Sequence, residues 1–330
     1  MNVVPLVVSI LCIVMVSGCT VCIPPFCDSV DSYESDVVII KDLTAIPSKI
    51  APGQQTRITA YVQNVGNTPT ENFGSVDVVL YDYCKGLFEV EEGDMDCPGT
   101  KSEDNGLIVC HINSLLPQEI RQVSWVLSPH GDIKLPTTCP NDGMKVYVRY
   151  NYETNGITTI SFIHPDELAR QLQDNTYTTK TSDTTVGYGP LKPVITVEDQ
   201  QPIPAYKDTP TSTTISLQIL NSGSGYPVPL SPDKSDSVHV NNKMISINLP
   251  DSIDVIADNC RFVKNGEFYQ PNDNVSIRII DGESAKIFCE ISSLSVSDVP
   301  KETTRTIDVN MKYYYEFRDS VKVEVVPSGY

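Results

Sequence analysis

A six-residue pattern occurs twice in the chain. Cys110-His111-Ile112-Asn113-Ser114-Leu115 returns as Cys289-Glu290-Ile291-Ser292-Ser293-Leu294, each copy after an apolar run (Leu107-Ile108-Val109; Ile287-Phe288) and each with a cysteine upstream, Cys84 or Cys260. Two other stretches repeat with it. Ile215, Leu217, Ile219, Asn221 and Gly223 stand 157 positions after Ile58, Ala60, Val62, Asn64 and Gly66, and residues 145–152 are answered by 310–317. Matches at three separated places identify a duplication. The chain is therefore expected to hold two versions of one domain, with the Trp125 strand and the 128–141 loop present only in the first.

The local pattern is that of strands. Residues 36–41, 56–65, 76–82, 107–112, 120–127, 144–152 and 157–163 are rich in Val, Ile, Thr and Tyr, and several alternate, with Ile58, Ala60 and Val62 on one face. Pro52-Gly53, Asn64-Val65-Gly66-Asn67 and Asn155-Gly156 punctuate these runs as turns. About seven strands at this interval predict an antiparallel sandwich. One helical segment, residues 164–172, begins with Pro165 and two acids and closes the first domain. The expected fold class is all-β: two tandem antiparallel sandwiches, 36–172 and 192–330, joined by a linker over 173–191.

The first 18 residues carry no charge and are dominated by Val, Ile, Leu and Met, the composition of an export signal or an anchor helix. Val16-Ser17-Gly18-Cys19 fits a lipobox, in which Cys19 is lipidated and becomes the new N-terminus, although the segment lacks a basic n-region. An uncleaved anchor helix is the alternative. Residues 19–35, with Pro24-Pro25, read as a tether. Either reading places the rest of the chain outside the cytoplasm, held to the membrane by lipid or helix.

Cysteine usage agrees with that compartment. Eight cysteines remain after Cys12 and Cys19 are set aside, an even number that in an exported chain predicts disulfides. The repeat predicts Cys84 with Cys110 and Cys260 with Cys289. That leaves Cys97 with Cys139 as a bridge private to the first domain, and Cys22 with Cys27 as a local one. Cys84 with Cys97 and Cys110 with Cys139 is the competing arrangement.

Residues Ala45-Ile46-Pro47, Ile50-Ala51-Pro52-Gly53 and the strand ending Asn64-Val65-Gly66-Asn67 resemble the adhesion-related, immunoglobulin-like domains called CARDB. The likeness covers the first third of domain one and touches domain two only at Asn221-Ser222-Gly223. It implies a seven-stranded sandwich with a surface-exposed role as spacer or binding module and no shared active site. With the lipobox and tether, the chain looks most like an archaeal or bacterial cell-surface lipoprotein.

Composition and motifs narrow the function further. A net charge of −18 with no clustering of Lys and Arg excludes a nucleic-acid surface. There is no G-x-S-x-G, P-loop, G-x-G-x-x-G or H-E-x-x-H, and His111, His130, His164 and His239 are scattered. The chain therefore reads as non-enzymatic, without metal or cofactor. The acidic residues Glu89, Glu91, Glu92, Asp94, Asp96, Glu103 and Asp104 lack calcium-loop spacing and read as a solvated loop. Asn274-Val275-Ser276 is a glycosylation sequon. Trp125 and the tyrosines Tyr147, Tyr150, Tyr152 and 313–315 read as strand packing. The expected function is adhesion or binding to envelope or surface proteins or to glycans, with residues 228–243 of domain two as the outward contact; an envelope spacer or assembly subunit is the alternative, and a hydrolase on a sandwich scaffold a distant third.

Overall fold

Antiparallel pairing joins all the long strands of the computed structural model, which describes residues 35–327 except 91, 105, 106, 132–134, 141, 183, 209, 229–238, 241–243, 257–259, 274 and 276. The signal segment, Cys19, the Cys22 and Cys27 pair, Asn274 and most of 228–243 lie outside the described residues. The first half contributes β1 (Val38–Ile46), β2 (Thr56–Asn64), β3 (Val76–Asp82), β4 (Thr100–Asp104), β5 (Leu107–Ile112), β6 (Ile120–Pro129) and β7 (Met144–Ile163). After helix α1 (Pro165–Gln173) come β8 (Leu191–Val197), β9 (Ser212–Asn221), β10 (Ile245–Asn248), β11 (Phe262–Asn265), β12 (Phe268–Pro271), β13 (Ile287–Ser292) and β14 (Glu302–Val321). The chain is all-β, as its alternation predicts.

Each half supplies one face of its own. In the first, β2 lies between β1 and β6; in the second, β9 lies between β8 and β13. The opposite face is common to both. Its strand order is β11-β12-β10-β14-β7-β3-β5-β4, the same four-strand arrangement read outward in both directions from the central pair β14 and β7. Those two strands are 20 residues each and pair along their whole length, from Met144 opposite Val321 to Ile163 opposite Glu302.

This central pair overturns one turn assignment. Asn155-Gly156 was expected to separate two strands, but β7 runs straight through it. Gly156 is not among the positive-φ residues that a tight hairpin requires. Its missing side chain serves close approach instead: a Cβ there would lie 2.5 Å from the Pro193 carbonyl oxygen and 2.9 Å from Val309 Cγ1. The segment expected to fold back as a last strand of half one continues into half two, where Ile160 and Phe162 are fully buried. In the other direction, the end of β14 pairs with the start of β7. The halves thus exchange strand ends, and the described residues from 35 to 327 belong to one compact unit.

Shorter strands tighten the exchange. Thr184–Val186, inside the expected linker, pairs with Gly156 to Thr158 of β7. Glu324–Val325, after β14, returns to half one between Thr137–Thr138 and Lys49–Ile50, and Val323 and Val325 are fully buried there. Chain order therefore does not stack half two beyond half one.

The core reflects period-2 alternation. Ile58, Ala60 and Val62 are buried on β2, as are their counterparts Ile215, Leu217 and Ile219 on β9. Asn64 and Asn221 play one role in both copies. Each side-chain oxygen accepts the amide two residues on, from Gly66 (2.9 Å) and Gly223 (3.3 Å), so the repeated Asn-x-Gly is an Asx turn that ends a core strand. Between the halves, Tyr150 opposes Tyr315 and Tyr152 opposes Tyr313, all four buried, with ring centroids 5.8 and 6.2 Å apart in the two pairs. Their hydroxyls find partners: Tyr150 accepts from Val37 N, Tyr313 from Leu191 N, and Tyr315 donates to Asn221 Oδ1.

The hexapeptide repeat occupies different places in the two halves. Its buried positions match, since Cys110, Ile112 and Leu115 correspond to Cys289, Ile291 and Leu294. Its strands do not. β5 pairs with β3 and β4 in the shared sheet, whereas β13 pairs with β9 on the opposite face. The strand in half one that takes the place of β13 is β6, because Ile58 opposes Trp125 as Ile215 opposes Cys289. The Trp125 strand therefore does have a counterpart in the second half.

That difference corrects two disulfides. Cys260 bonds Cys289, as expected, but Cys84 bonds Cys139 and Cys97 bonds Cys110. Neither expected arrangement of these four holds. Cys110 opposes Val78 in the middle of β3, while Cys84 lies six residues further along the chain, roughly 15–20 Å away along an extended strand and far beyond bridging reach. Cys97 instead precedes β4, which folds directly onto β5, and its Cα comes within 5.6 Å of that of Cys110.

Candidate functional site

The outer face of the shared sheet carries a linked set of polar and aromatic side chains. On β7 the inward residues Val146, Val148, Tyr150 and Tyr152 are buried, so Tyr147, Arg149 and Asn151 point outward. On β14 the inward Tyr313 and Tyr315 leave Glu316 and Arg318 on the same outer face. Glu316 is the hub. Its carboxylate accepts from Arg149 Nε (3.1 Å) and Nη2 (2.8 Å) through Oε2 and from Arg318 Nε (2.5 Å) through Oε1, and its side chain is only 1% exposed. A sealed carboxylate held by two guanidinium groups avoids the cost of a buried unpaired charge.

Aromatic rings flank this hub. The Arg149 guanidinium lies 4.9 Å over the Tyr147 ring, and Arg318 stands 5.7 Å from Tyr81 and 5.6 Å from Tyr226. Tyr81 and Tyr147 are 5.4 Å apart. Burial pushes the Tyr147 phenol up to about 12, so it stays a neutral hydrogen-bonding group. Tyr226 is half exposed, from the strand Tyr226–Val228 that pairs with β14. The result is a patch of tyrosine rings and guanidinium groups on one face of the sheet.

Next to it, three adjacent strands bring together residues that look unrelated in sequence. Asp77 on β3 stands opposite both Arg149 on β7 and His111 on β5. His111 Nδ1 is 2.6 Å from Asp77 Oδ1, and His111 Nε2 is 2.6 Å from Ser102 Oγ on β4. Only strand register could have revealed this set. In the sequence His111 is one of four scattered histidines, and neither Asp77 nor Ser102 carries a motif.

The acidic segment does not converge. Glu89 opposes Ser128, Asp96 opposes Ser124, and Glu103 and Asp104 lie on β4, so the carboxylates are spread over separate strands. Among the described residues no three His, Cys, Asp or Glu side chains group as metal ligands. Trp125 is fully buried against β2, and its indole Nε1 is a buried donor without an acceptor. No helix among the described residues is long and apolar enough to cross a membrane. Neither the protein-family models nor the curated proteins give a match to this chain.

Proposed function

We propose that this is an extracytoplasmic display protein, tethered to the membrane through a lipidated Cys19, that contacts another envelope or surface protein through the outer face of its shared sheet. The observation that carries the reading is the Tyr81, Tyr147, Tyr226, Arg149 and Arg318 patch on its sealed Glu316. Tyrosine and arginine are the residues enriched at protein contacts, and here they are held in one geometry before any partner arrives, which lowers the ordering cost of association. Three disulfides belong with an oxidising compartment. The CARDB-like residues of β1 and β2 are compatible with a surface role and bring no active site. The role is contact in the first place, and a glycan partner is an outcome of the test below.

A second reading has its own support. Two paired 20-residue strands make a stiff element about 65 Å long, a property suited to a spacer or to an envelope assembly subunit. The test separates the two. The soluble ectodomain, residues 20–330, is cross-linked in envelope extract beside a variant carrying Tyr147→Ala, Tyr226→Ala and Arg318→Ala, and beside a deletion of residues 232–240. Loss of one defined protein adduct in the triple variant alone supports the sheet face. Loss only in the deletion moves the contact to the 228–243 segment, and equal adducts in all three leave the spacer.

A further inference from the structure

We infer that Ser102 is an acyl-accepting nucleophile, activated by His111 and oriented by Asp77. This goes beyond the contact reading and stands independently of it. The bonding order decides the proton positions. A carboxylate only accepts, so His111 Nδ1 donates to Asp77; in the neutral imidazole Nε2 is then the acceptor, and the Ser102 hydroxyl donates to it. That is the arrangement in which a base takes the hydroxyl proton as the serine oxygen attacks.

A plain cross-strand polar ladder would make the same two bonds. What distinguishes this set is how firmly its base is held. Cys110, the residue before His111, is bonded to Cys97, and the connecting loop presses Gly99 onto β5, where a Cβ would come within 1.9 Å of the His111 carbonyl oxygen. Asp77 is braced by Ser75 Oγ (3.4 Å) and faces Arg149 of the Glu316 network across the strand pair. The His111 and Asp77 side chains remain 31% exposed, enough to be reached. Rigid support with an open approach is what a reactive serine needs.

The chemistry follows from the surroundings. The Ser102 oxygen attacks the carbonyl carbon of an ester while its proton moves to His111 Nε2. The adduct then collapses, the carbon–oxygen bond to the leaving group breaks, and that alkoxide takes the proton from His111. Water repeats the sequence on the acyl-serine and frees the acid. The set stands on an open sheet face, so the substrates that fit are acyl esters with good leaving groups, presented without a cleft. One fast acylation followed by slow release is the expected course.

The folded ectodomain is treated with a fluorophosphonate probe, whose phosphorus–fluorine bond breaks as the serine oxygen bonds phosphorus, and separately with p-nitrophenyl acetate. Expected are a label mapped to Ser102 and a burst of one nitrophenolate per chain, both absent in Ser102→Ala. His111→Gln slows acylation about a hundredfold or more, the usual contribution of a positioned base, and Asp77→Asn slows it by a smaller factor. An unlabelled Ser102, or a rate unchanged in His111→Gln, overturns the inference. If a variant loses the Cys97–Cys110 peptide in non-reduced mapping, the wild-type label decides: fluorophosphonate mapped to Ser102 supports the inference, and a label mapped to any other residue overturns it.

Discussion

At equivalent points the two halves solve one packing problem differently. Ile58 on β2 faces Trp125, and its duplicate Ile215 on β9 faces Cys289, which is bonded to Cys260. Trp125 and Cys289 are both fully buried. Half one fills the space between its sheets with a single large ring, and half two closes it with a covalent bond. Half one carries two disulfides of its own, Cys97–Cys110, whose Cys110 is fully buried on β5, and Cys84–Cys139, whose buried Cys139 follows the Thr137–Thr138 strand that pairs with the returning C-terminal strand. The duplication thus preserved strand order and the Asx turns while the source of cohesion moved from one strand to another. A core needs volume filled and chain entropy reduced, and either device serves.

Removing the ring should have the largest effect. Trp125→Ala leaves a cavity where an indole filled the first core and should cost about 3–5 kcal/mol, read as a lowered urea midpoint. Because the halves share β7 and β14, unfolding should remain a single transition. Two separated transitions would mean that the exchange of strand ends does not couple them. Trp125→Phe should recover more than half of the loss, since the unpartnered indole N–H contributes nothing favourable where it sits.

The covalent device should rank next. Replacing both Cys260 and Cys289 by Ser opens a link spanning 29 residues, worth about 3–4 kcal/mol in the chain-entropy picture. Non-reduced peptide mapping of the parent sharpens the comparison at the same time. It should return Cys84 with Cys139 and Cys97 with Cys110; a Cys84 to Cys110 peptide would restore the symmetry that the fold lacks.

These outcomes bear on what a reader of the sequence can and cannot reach. Alternation at Ile58, Ala60 and Val62 and again at Ile215, Leu217 and Ile219 makes the core strands and their duplication legible, because burial on one face leaves a period-2 trace. The Cys-x-Ile-x-Ser-Leu repeat misleads for the same reason. It records that positions one, three and six are buried, and it says nothing about which neighbour buries them. Pairing partners come from register across distant strands, which is why Cys84, Cys97, Cys110 and Cys139 were joined wrongly. The candidate site is hidden in the same way, since Asp77, Ser102 and His111 meet only once β3, β5 and β4 lie side by side. Asn155-Gly156 carries a strong turn signal, but the space between Pro193 and Val309 fixes it as extended strand.

That glycine gives the third test. Gly156→Ala places a methyl group 2.5 Å from the Pro193 carbonyl oxygen, a backbone atom that cannot swing aside. Forced overpacking of this kind costs about 1–3 kcal/mol. At Gly66, in the Asx turn of half one, the nearest atoms to an added Cβ are side-chain atoms at 3.1 and 3.2 Å, so Gly66→Ala should cost less. If Gly156→Ala is neutral in thermal unfolding, the central strand is not continuous and the hairpin expected from sequence returns.

The smallest expected effect has the opposite sign and lies where the halves meet. Asp36 is buried beside the second half's Asx turn; both carboxylate oxygens lie 3.1 Å from the Ser224 amide, and its backbone oxygen accepts from the Tyr188 hydroxyl. No cationic side chain among the described residues pairs with it. Burial raises its pKa, with the hydrogen bond from Ser224 opposing that rise only in part. A carboxyl whose pKa is higher folded than unfolded favours the fold in its protonated form. Its contribution is complete below the ordinary carboxylate range and is lost as pH rises through the folded value. Asp36→Asn keeps an acceptor for Ser224 and removes the charge, so it should raise stability at neutral pH and leave it unchanged once the parent carboxyl is protonated. Urea midpoints of parent and variant measured from acid to neutral pH should start together and separate upward. A variant that is less stable at neutral pH would show that the ionised carboxylate holds the two halves together, and half two's turn would then depend on half one for a charge rather than for a hydrogen bond alone.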